Sequence, residues 1–193
     1  SRAVAAERAR ILRDMHDGVG AHLVAAVRQL EGGRSVASEV AQTLRDSLDQ
    51  LKLSIDAMNL PRGDVGALLA SLRYRLQPRV EAAGLTLVWS VDRLPPWPVS
   101  NDDAMRHLQF LLFEAISNVL QHAHAAVLSI DAHISGGRIE IAVCDNGHGI
   151  QVPTENGLRS MHERARLIDA KLAIEPAQPG TRVRILLPSR QPG

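Results

Sequence analysis

The sequence predicts an α+β protein in which a two-helix hairpin precedes a mixed sheet covered by helices. Two observations support this prediction: apolar residues recur every three or four positions before Pro61, and short alternating segments appear only after it. Helices mixed with hairpin-linked strands are typical of a sheet with helices packed over one face. At roughly 150 residues per domain, the chain is long enough for one or two domains.

Residues 1–61 are predicted to form the hairpin. Apolar side chains recur at helical spacing over 12–30 and again over 40–58, and 31–35 reads as a turn between the two helices. Pro61 ends the second helix. Because two helices alone bury only a narrow stripe, we expect the hairpin to dimerise into a four-helix bundle. An inert coiled-coil spacer is the alternative that the same periodicity allows.

Residues 62–193 are predicted to form the second domain. Asp64 suits the start of a helix that runs to about Ala83 and is interrupted or kinked near Pro78. Either Asn101 or Asp102 caps a later long helix. The remaining elements begin with a strand over 85–91, an irregular connection over 94–98 and that long helix over 102–124. They continue with two hairpin strands over 127–133 and 138–144 that turn at two glycines, a helix over 157–169 and two last strands over 171–175 and 182–187.

The composition excludes several classes of protein. Hydrophobic residues make up 45% and charged residues 22%, so the chain is expected to fold. A formal net charge of +1 and 3% aromatic residues argue against direct binding of nucleic acid. No apolar run approaches the roughly 20 residues of a membrane helix, and no signal peptide is apparent.

The cysteine content and the first residue bear on location. Cys144 is a lone cysteine, and no spaced Cys/His cluster offers a zinc site, so a reducing compartment and a cytoplasmic fragment are expected. Because Ser1 is followed at once by helix-forming sequence without a Met, we expect a piece of a longer protein. Whether that parent protein is attached to an inner membrane by earlier segments stays open.

Three polar residues share one face of the long helix after residue 102. Glu114, Asn118 and His122 stand four positions apart, so each is turned by about 40° from the one before. A carboxylate, an amide oxygen and an imidazole in this arrangement suit a hydrated Mg²⁺ and the phosphates that it bridges. A solvated polar face is the other interpretation of the same spacing.

Glycines follow the strand that ends near Cys144. Asp145 is the first residue of the segment Asp-Asn-Gly-His-Gly, which places a carboxylate acceptor beside backbone that can approach a flat ring, although an ordinary Asn-Gly turn also fits. Gly157 and Leu158 open the next helix, where free N–H groups can receive phosphate oxygens. Gly180 and Thr181 precede the last strand and suit a tight turn. Neither a Walker loop nor a GxGxxG turn is present.

These three blocks, in this order, resemble the N, G1 and G2 boxes of the GHKL (Bergerat-type) ATPases, specifically the ATP-binding domain of bacterial sensor histidine kinases. The resemblance implies ATP and Mg²⁺ as cofactors and an α/β sandwich fold. It also implies roles for single residues: Glu114 activates the reaction, Asn118 holds Mg²⁺, His122 contacts phosphate and Asp145 reads the adenine amino group. Gly147, Gly149 and Gly157 would shape the pocket, and 151–156 would form a short lid.

The first helix carries a matching phosphoacceptor motif. The segment 13–20, Arg-Asp-Met-His-Asp-Gly-Val-Gly, resembles the H-box of the histidine kinases that pair with NarL/LuxR-type response regulators. The resemblance implies that His16 accepts the phosphoryl group and that Asp17 assists it. A nucleophilic His must be neutral at one nitrogen, and a carboxylate that holds the other proton helps. Taken without the family, His16 reads as an ordinary surface histidine.

The sequence departs from the family pattern at a few positions. Ala21, with His22 beside it, replaces the Gln that many relatives use for dephosphorylation of the regulator. Glu155 and Ser160 stand where glycines are frequent, and Pro179 precedes Gly180. These departures put phosphatase activity in doubt and indicate a stiffer lid.

The resemblance predicts a homodimeric kinase core that autophosphorylates His16 with Mg²⁺-ATP and passes the group to an aspartate of a response regulator. Two alternatives remain from the sequence: a degenerate module that binds nucleotide and dimerises without transferring phosphate, and another GHKL ATPase such as a chaperone or a serine kinase.

Overall fold

The computed structural model of the chain describes residues 6, 19–20, 23–32, 37–99, 101, 103–122, 124–149 and 155–189. The chain divides into two compact units, Ser1–Ile55 and Asp56–Gly193. Each unit is described separately below.

The first unit is helical. Residues 19–20 and 23–31 are helical and form the described part of α1, and α2 spans Ala37–Asn59. The Thr43 hydroxyl donates a hydrogen bond of 3.2 Å to Oε1 of Gln29, which ties α2 to α1. Over the described residues the two predicted helices are therefore present, and the N–H of Gly32 donates to the Arg28 carbonyl oxygen at the end of the first.

The second unit begins around helix α3, Val65–Ala82. Asp64 caps it as predicted, because its carboxylate accepts the N–H of Ala67 at 2.9 Å. The predicted interruption near Pro78 is wrong, since the helix continues through that residue. Pro78 is exposed, so water can reach the Tyr74 carbonyl oxygen that the missing proline N–H leaves unbonded.

Five strands form one mixed sheet: β1 is Thr86–Val91, β2 is Val127–Ser135, β3 is Arg138–Asp145, β4 is Lys171–Pro176 and β5 is Thr181–Leu186. Their order across the sheet is β1-β2-β3-β5-β4. Strand β1 runs parallel to β2, and the other neighbouring pairs are antiparallel. The predicted hairpin is confirmed: β2 and β3 pair from Ser135 and Arg138, with Gly136 and Gly137 in the turn.

Helices α4, Ala104–His122, and α5, Glu155–Leu167, complete the unit. One face of the sheet is buried: Leu128, Ile141 and Ile185 on successive strands are inaccessible or nearly so. The matching core residues on α4 and α5 include Leu108, Leu112 and Met161. The alternating positions Ser90 and His133 are exposed on the other face. This is the α+β arrangement that the sequence predicts, and α5 begins two residues before the predicted Gly157.

A bidentate ion pair joins the end of α2 to α3. The guanidinium of Arg75 donates to both carboxylate oxygens of Asp56, at 2.8 and 3.1 Å, and the Ser71 hydroxyl adds a third bond. The hydrogen bond from Arg75 lowers the pKa of Asp56 below its ordinary value. The folded state therefore favours the ionised carboxylate, and the contribution to stability is present above about pH 4 and is lost as the pH falls below it.

Asp56→Asn is expected to lower the free energy of unfolding of the second unit by about 1 kcal/mol at pH 7, because both side chains are about one-third exposed. The difference from the native chain should be smaller at pH 3 than at pH 7, because protonation removes the contribution as the pH falls through the lowered pKa of Asp56. Urea titrations read by tryptophan fluorescence measure this, since both tryptophans lie in the second unit. Asp92→Asn is the control, because Asp92 is exposed and its side chain has no partner among the described residues. An equal loss at both pH values would contradict the prediction.

Among the described residues, no helix combines the length and the apolar character needed to cross a membrane.

Candidate functional site: a nucleotide pocket

Helix α4 is buried along most of its surface. The residues on both sides of Glu114 and Asn118, such as Phe113 and Ile116, are buried, whereas these two polar side chains stay half-buried. The side-chain amide of Asn118 has no hydrogen-bond partner in the part of the chain that the structure describes. Two of the three predicted polar residues therefore lie on the accessible stripe of an otherwise buried helix. The backbone of the third, His122, ends α4, and its side chain lies outside the described residues.

Strand β3 ends with a buried carboxylate. Asp145 is 6% exposed, and its Oδ1 accepts the N–H of Gly147 at 2.8 Å. Its Oδ2 has no partner among the described residues. The carboxylate is thus held in a fixed orientation by one oxygen, which leaves the other oxygen available as an acceptor.

The turn before β5 lies directly on the backbone of Asp145. Gly180 has φ +101°, and a Cβ at this position would overlap the carbonyl oxygen of Asp145 and approach the Cα of Asn146 to 2.9 Å. Gly149, with φ +84°, faces the Gly180 carbonyl oxygen, which an added Cβ would meet at 3.7 Å. Thr181 follows as the first residue of β5. The glycines that the sequence singles out on two separate segments therefore meet around one aspartate.

Two contacts hold this loop to the neighbouring elements. The amide oxygen of Asn146 accepts the backbone N–H groups of Ala126 and Val127 at 2.9 and 2.8 Å, which ties the loop to the start of β2. The rings of His124, just after α4, and His148 lie 5.7 Å apart between centroids. The exit of α4 and the glycine loop are therefore adjacent. The role of Asn146 was missed from the sequence, where it reads only as part of an Asn-Gly turn.

Helix α5 belongs to the same unit as Asp145, and its first turn starts at Glu155. Gly157 and Leu158 are its third and fourth residues, so the N–H of Gly157 has no partner within the helix and Leu158 lies where the intrahelical hydrogen bonds begin. The helix is packed on α4 through Arg164, whose Nη1 lies 3.0 Å from Nδ1 of His107 and whose guanidinium carbon lies 4.2 Å from the centre of the Phe110 ring. Because Arg164 and His107 are 57 residues apart, the local sequence pattern does not predict their contact.

The predicted phosphoacceptor lies outside the described residues. This applies to His16 and Asp17, and to most of the predicted lid, 151–154. The structure therefore brings together Asp145, Gly147, Gly149, Gly180 and Thr181, with α4 and α5 packed against the same sheet layer.

The fold and the pocket define a class: a layered α+β domain with a glycine-lined acidic pocket, preceded by a helical hairpin. Two family models match the chain in the same order. Residues 7–63 match a family described as histidine kinase, and residues 103–191 match the histidine kinase-, DNA gyrase B- and HSP90-like ATPases.

Individual relatives agree. The chain is 30% identical over 199 residues to the nitrate/nitrite sensor protein NarQ of Escherichia coli, covering 93% of this chain and 34% of that protein. It is 26% identical to the sensor histidine kinase YxjM of Bacillus subtilis, covering 96% of this chain and 48% of YxjM. A blue-light activated histidine kinase of Erythrobacter litoralis has a similar fold, with a TM-score of 0.62 at 20% identity, covering 94% of this chain and 63% of that one. The chain thus spans less than half the length of these two curated relatives.

The chain belongs to the histidine kinase family, and its two matched segments follow one another along the chain. The second match identifies the pocket domain as an ATP-binding domain. The predicted family, fold and use of ATP are confirmed.

Proposed function

We propose that this chain autophosphorylates His16 with Mg²⁺-ATP and then passes the phosphoryl group to an aspartate of a response regulator. One observation carries the ATP half of this proposal: a buried carboxylate with one unused oxygen, held where glycines from two segments bring their backbones into close contact. The H-box sequence around His16 carries the other half. The proposed domains are 1–61 for dimerisation and phosphotransfer and 62–193 for ATP binding.

The pocket supports an assignment of roles at the adenine end. Oδ2 of Asp145 accepts the exocyclic amino group of adenine, since Oδ1 is already engaged by Gly147. Gly180 packs on the backbone of Asp145 and Gly149 faces the Gly180 carbonyl oxygen, so both hold the backbone around this carboxylate, and Thr181 follows as the first residue of β5. A flat base between backbone surfaces is bound by contact area, and the single carboxylate selects the amino group.

The phosphate end is built from two helices. The free N–H of Gly157, with Leu158 beside it, receives phosphate oxygens at the positive end of α5. His122 is placed one turn after Asn118 on α4 and supplies a further phosphate contact.

The residues of α4 fit a magnesium ion. Mg²⁺ prefers oxygen ligands and keeps several waters, so one protein oxygen with phosphates completes its shell. The Asn118 amide fits because it is half-buried and has no partner among the described residues. The ion would neutralise charge on the phosphates. Glu114, one turn earlier, lies within the same stripe and assists deprotonation of the nucleophile.

His16 is the proposed nucleophile. A neutral ring nitrogen of His16 forms the N–P bond to the γ-phosphorus while the bond from that phosphorus to the bridging oxygen breaks and ADP leaves. The proton on the other ring nitrogen is held by a carboxylate, for which Asp17 is the candidate. The N–P bond is then broken by the regulator's aspartate, which regenerates His16.

The H-box resemblance supports a response regulator of NarL/LuxR type as the partner. The phosphoryl group passes from His16 to this regulator. No direct contact with nucleic acid is part of this proposal.

An exposed apolar stripe supports homodimerisation. On α1 the side chains of Leu23, Val27 and Leu30 are 45 to 63% exposed, and on α2 Leu48 and Ile55 are 55 and 42% exposed. These residues repeat at the spacing of a coiled-coil seam, whereas Ser47 and Ser54 beside them are buried. A second copy that covers this stripe would complete a four-helix bundle.

Leu48→Glu is expected to weaken the dimer at least tenfold, or about 1.4 kcal/mol, because a carboxylate would be buried among apolar side chains. Sedimentation equilibrium in the micromolar range measures the change. Ala25→Glu is the matched control, since it adds the same side chain at an exposed position on the side of α1 opposite Val27. A monomeric native chain, or an unchanged Leu48→Glu dimer, would contradict the proposal.

The function is tested by incubating the chain with ATP labelled at the γ-phosphate. A phosphohistidine gives a label that is lost in acid and kept in alkali. An acid-stable label would indicate a kinase of hydroxyl groups, and bound nucleotide without label would indicate a degenerate module.

A further inference from the structure

A second cavity lies at the end of the sheet opposite the nucleotide pocket. It has a volume of about 530 Å³ and is formed by the segment 95–98, the turn between β2 and β3, and the residues that follow β5. Arg138 at its edge begins β3 and Asp145 ends it, so the two sites are about 24 Å apart along the strand. A volume of this size is typical of small-molecule sites.

The walls of this cavity are apolar. Pro95, Pro96 and Pro98 form one side, and Ile139 and Pro188 form the other. Proline rings are rigid, so little side-chain freedom is lost when a ligand packs against them. The cavity therefore suits a ligand with an apolar body.

The polar groups of the cavity are donors. Arg138 has no hydrogen bond or ion pair with any residue that the structure describes. Trp97 is 3% exposed and its indole nitrogen is buried, so Trp97 adds ring surface to the cavity and not a donor. The hydroxyl of Ser189 adds a second donor, and no Asp or Glu is found among the described residues lining the cavity. Unpaired donors without a neighbouring carboxylate favour an anion.

We propose that this cavity binds a small organic anion, a carboxylate carried by an apolar body, with the carboxylate on the Arg138 guanidinium. The apolar body lies against the prolines, and the Trp97 indole forms the floor beside it. This site is separate from the nucleotide pocket, and its existence does not depend on phosphoryl transfer.

Two tryptophans give the experiment an internal control. The ¹⁵N-labelled chain has two indole N–H signals, one from Trp97 in the cavity wall and one from Trp89 on β1, under the Arg73 guanidinium. Trp89→Phe assigns them. Titration with 4-phenylbutyrate is expected to shift the Trp97 signal with a Kd of about 1 mM, a usual value for a ligand of this size, and to leave Trp89 in place.

Charge is tested with two variants and a neutral probe. Arg138→Gln should weaken binding about tenfold. Arg182→Gln should change it less than about twofold, because Arg182 is exposed and does not line the cavity. The neutral 4-phenylbutan-1-ol should bind about tenfold more weakly than the acid. A Trp97 signal that does not move, equal shifts of both tryptophans, or equal affinity of the Arg138→Gln chain would overturn the proposal.

Discussion

Replacing His16 with glutamine is expected to abolish incorporation of the γ-phosphoryl group, with a fall of at least about 1000-fold in the initial rate. Glutamine keeps a polar side chain of similar length at this position but offers no basic nitrogen to attack phosphorus. The pocket around Asp145 lies in the other unit, so the affinity for an ATP analogue should stay within about twofold. Filter-bound label and calorimetric titration measure the two quantities on the same preparation.

His22→Gln is the matched control, because it removes a second imidazole from the same predicted helix. This variant should keep its label. Label that persists in the His16→Gln chain would move the phosphoacceptor to another residue and disprove the assignment. Loss of label in both variants, with nucleotide still bound, would indicate damage to the hairpin instead, and circular dichroism of the two variants would reveal it.

Gly180→Ala is expected to have the second largest effect, a loss of at least about tenfold in affinity for the ATP analogue AMPPNP. The added methyl group would overlap the Asp145 carbonyl oxygen, so either the turn or the end of β3 must move. Both movements displace the carboxylate that we assign to adenine. Isothermal titration of AMPPNP into the variant measures the loss.

The control for this variant separates overlap from backbone strain. Gly84 also has a positive φ, +79°, but an added Cβ there would meet nothing within 4 Å. Gly84→Ala therefore carries the cost of a left-handed backbone, about 1 kcal/mol of stability, without touching the pocket. If both alanine variants bind AMPPNP equally well, the close approach of Gly180 to Asp145 has no role in the nucleotide site. Thermal unfolding of both chains checks that each remains folded.

Much of the fold follows from local patterns. The spacing of apolar residues predicts α2 and α4, and alternation around Gly136 predicts the hairpin of β2 and β3. The spacing of apolar residues within a short stretch of sequence shows which face of each element is buried, and so whether it is a helix or a strand. The end of α3 is different: Pro78 indicates a break, but its exposed position lets water satisfy the freed carbonyl group, and exposure depends on tertiary packing.

The pocket is predicted less completely than the elements around it. Asp145 and Gly180 are recognisable as motif residues, yet nothing in their spacing shows that one backbone lies on the other. The two hydrogen bonds of Asn146 and the ion pair between Asp56 and Arg75 likewise join residues about 20 apart. Such contacts are decided by the order of strands and the packing of helices, so they appear only in the folded chain.

The junction after α2 has a practical consequence for domain swapping in the laboratory. Gly63 follows α2, and its carbonyl oxygen accepts the N–H of Trp97. A methyl group on the Gly63 Cα would overlap the Trp97 backbone. The sequence from Gly63 onward therefore packs as part of the second unit and cannot be exchanged as a flexible linker. Chimeric chains that keep this unit should be joined upstream of Asp56, so that its contact with Arg75 is also kept.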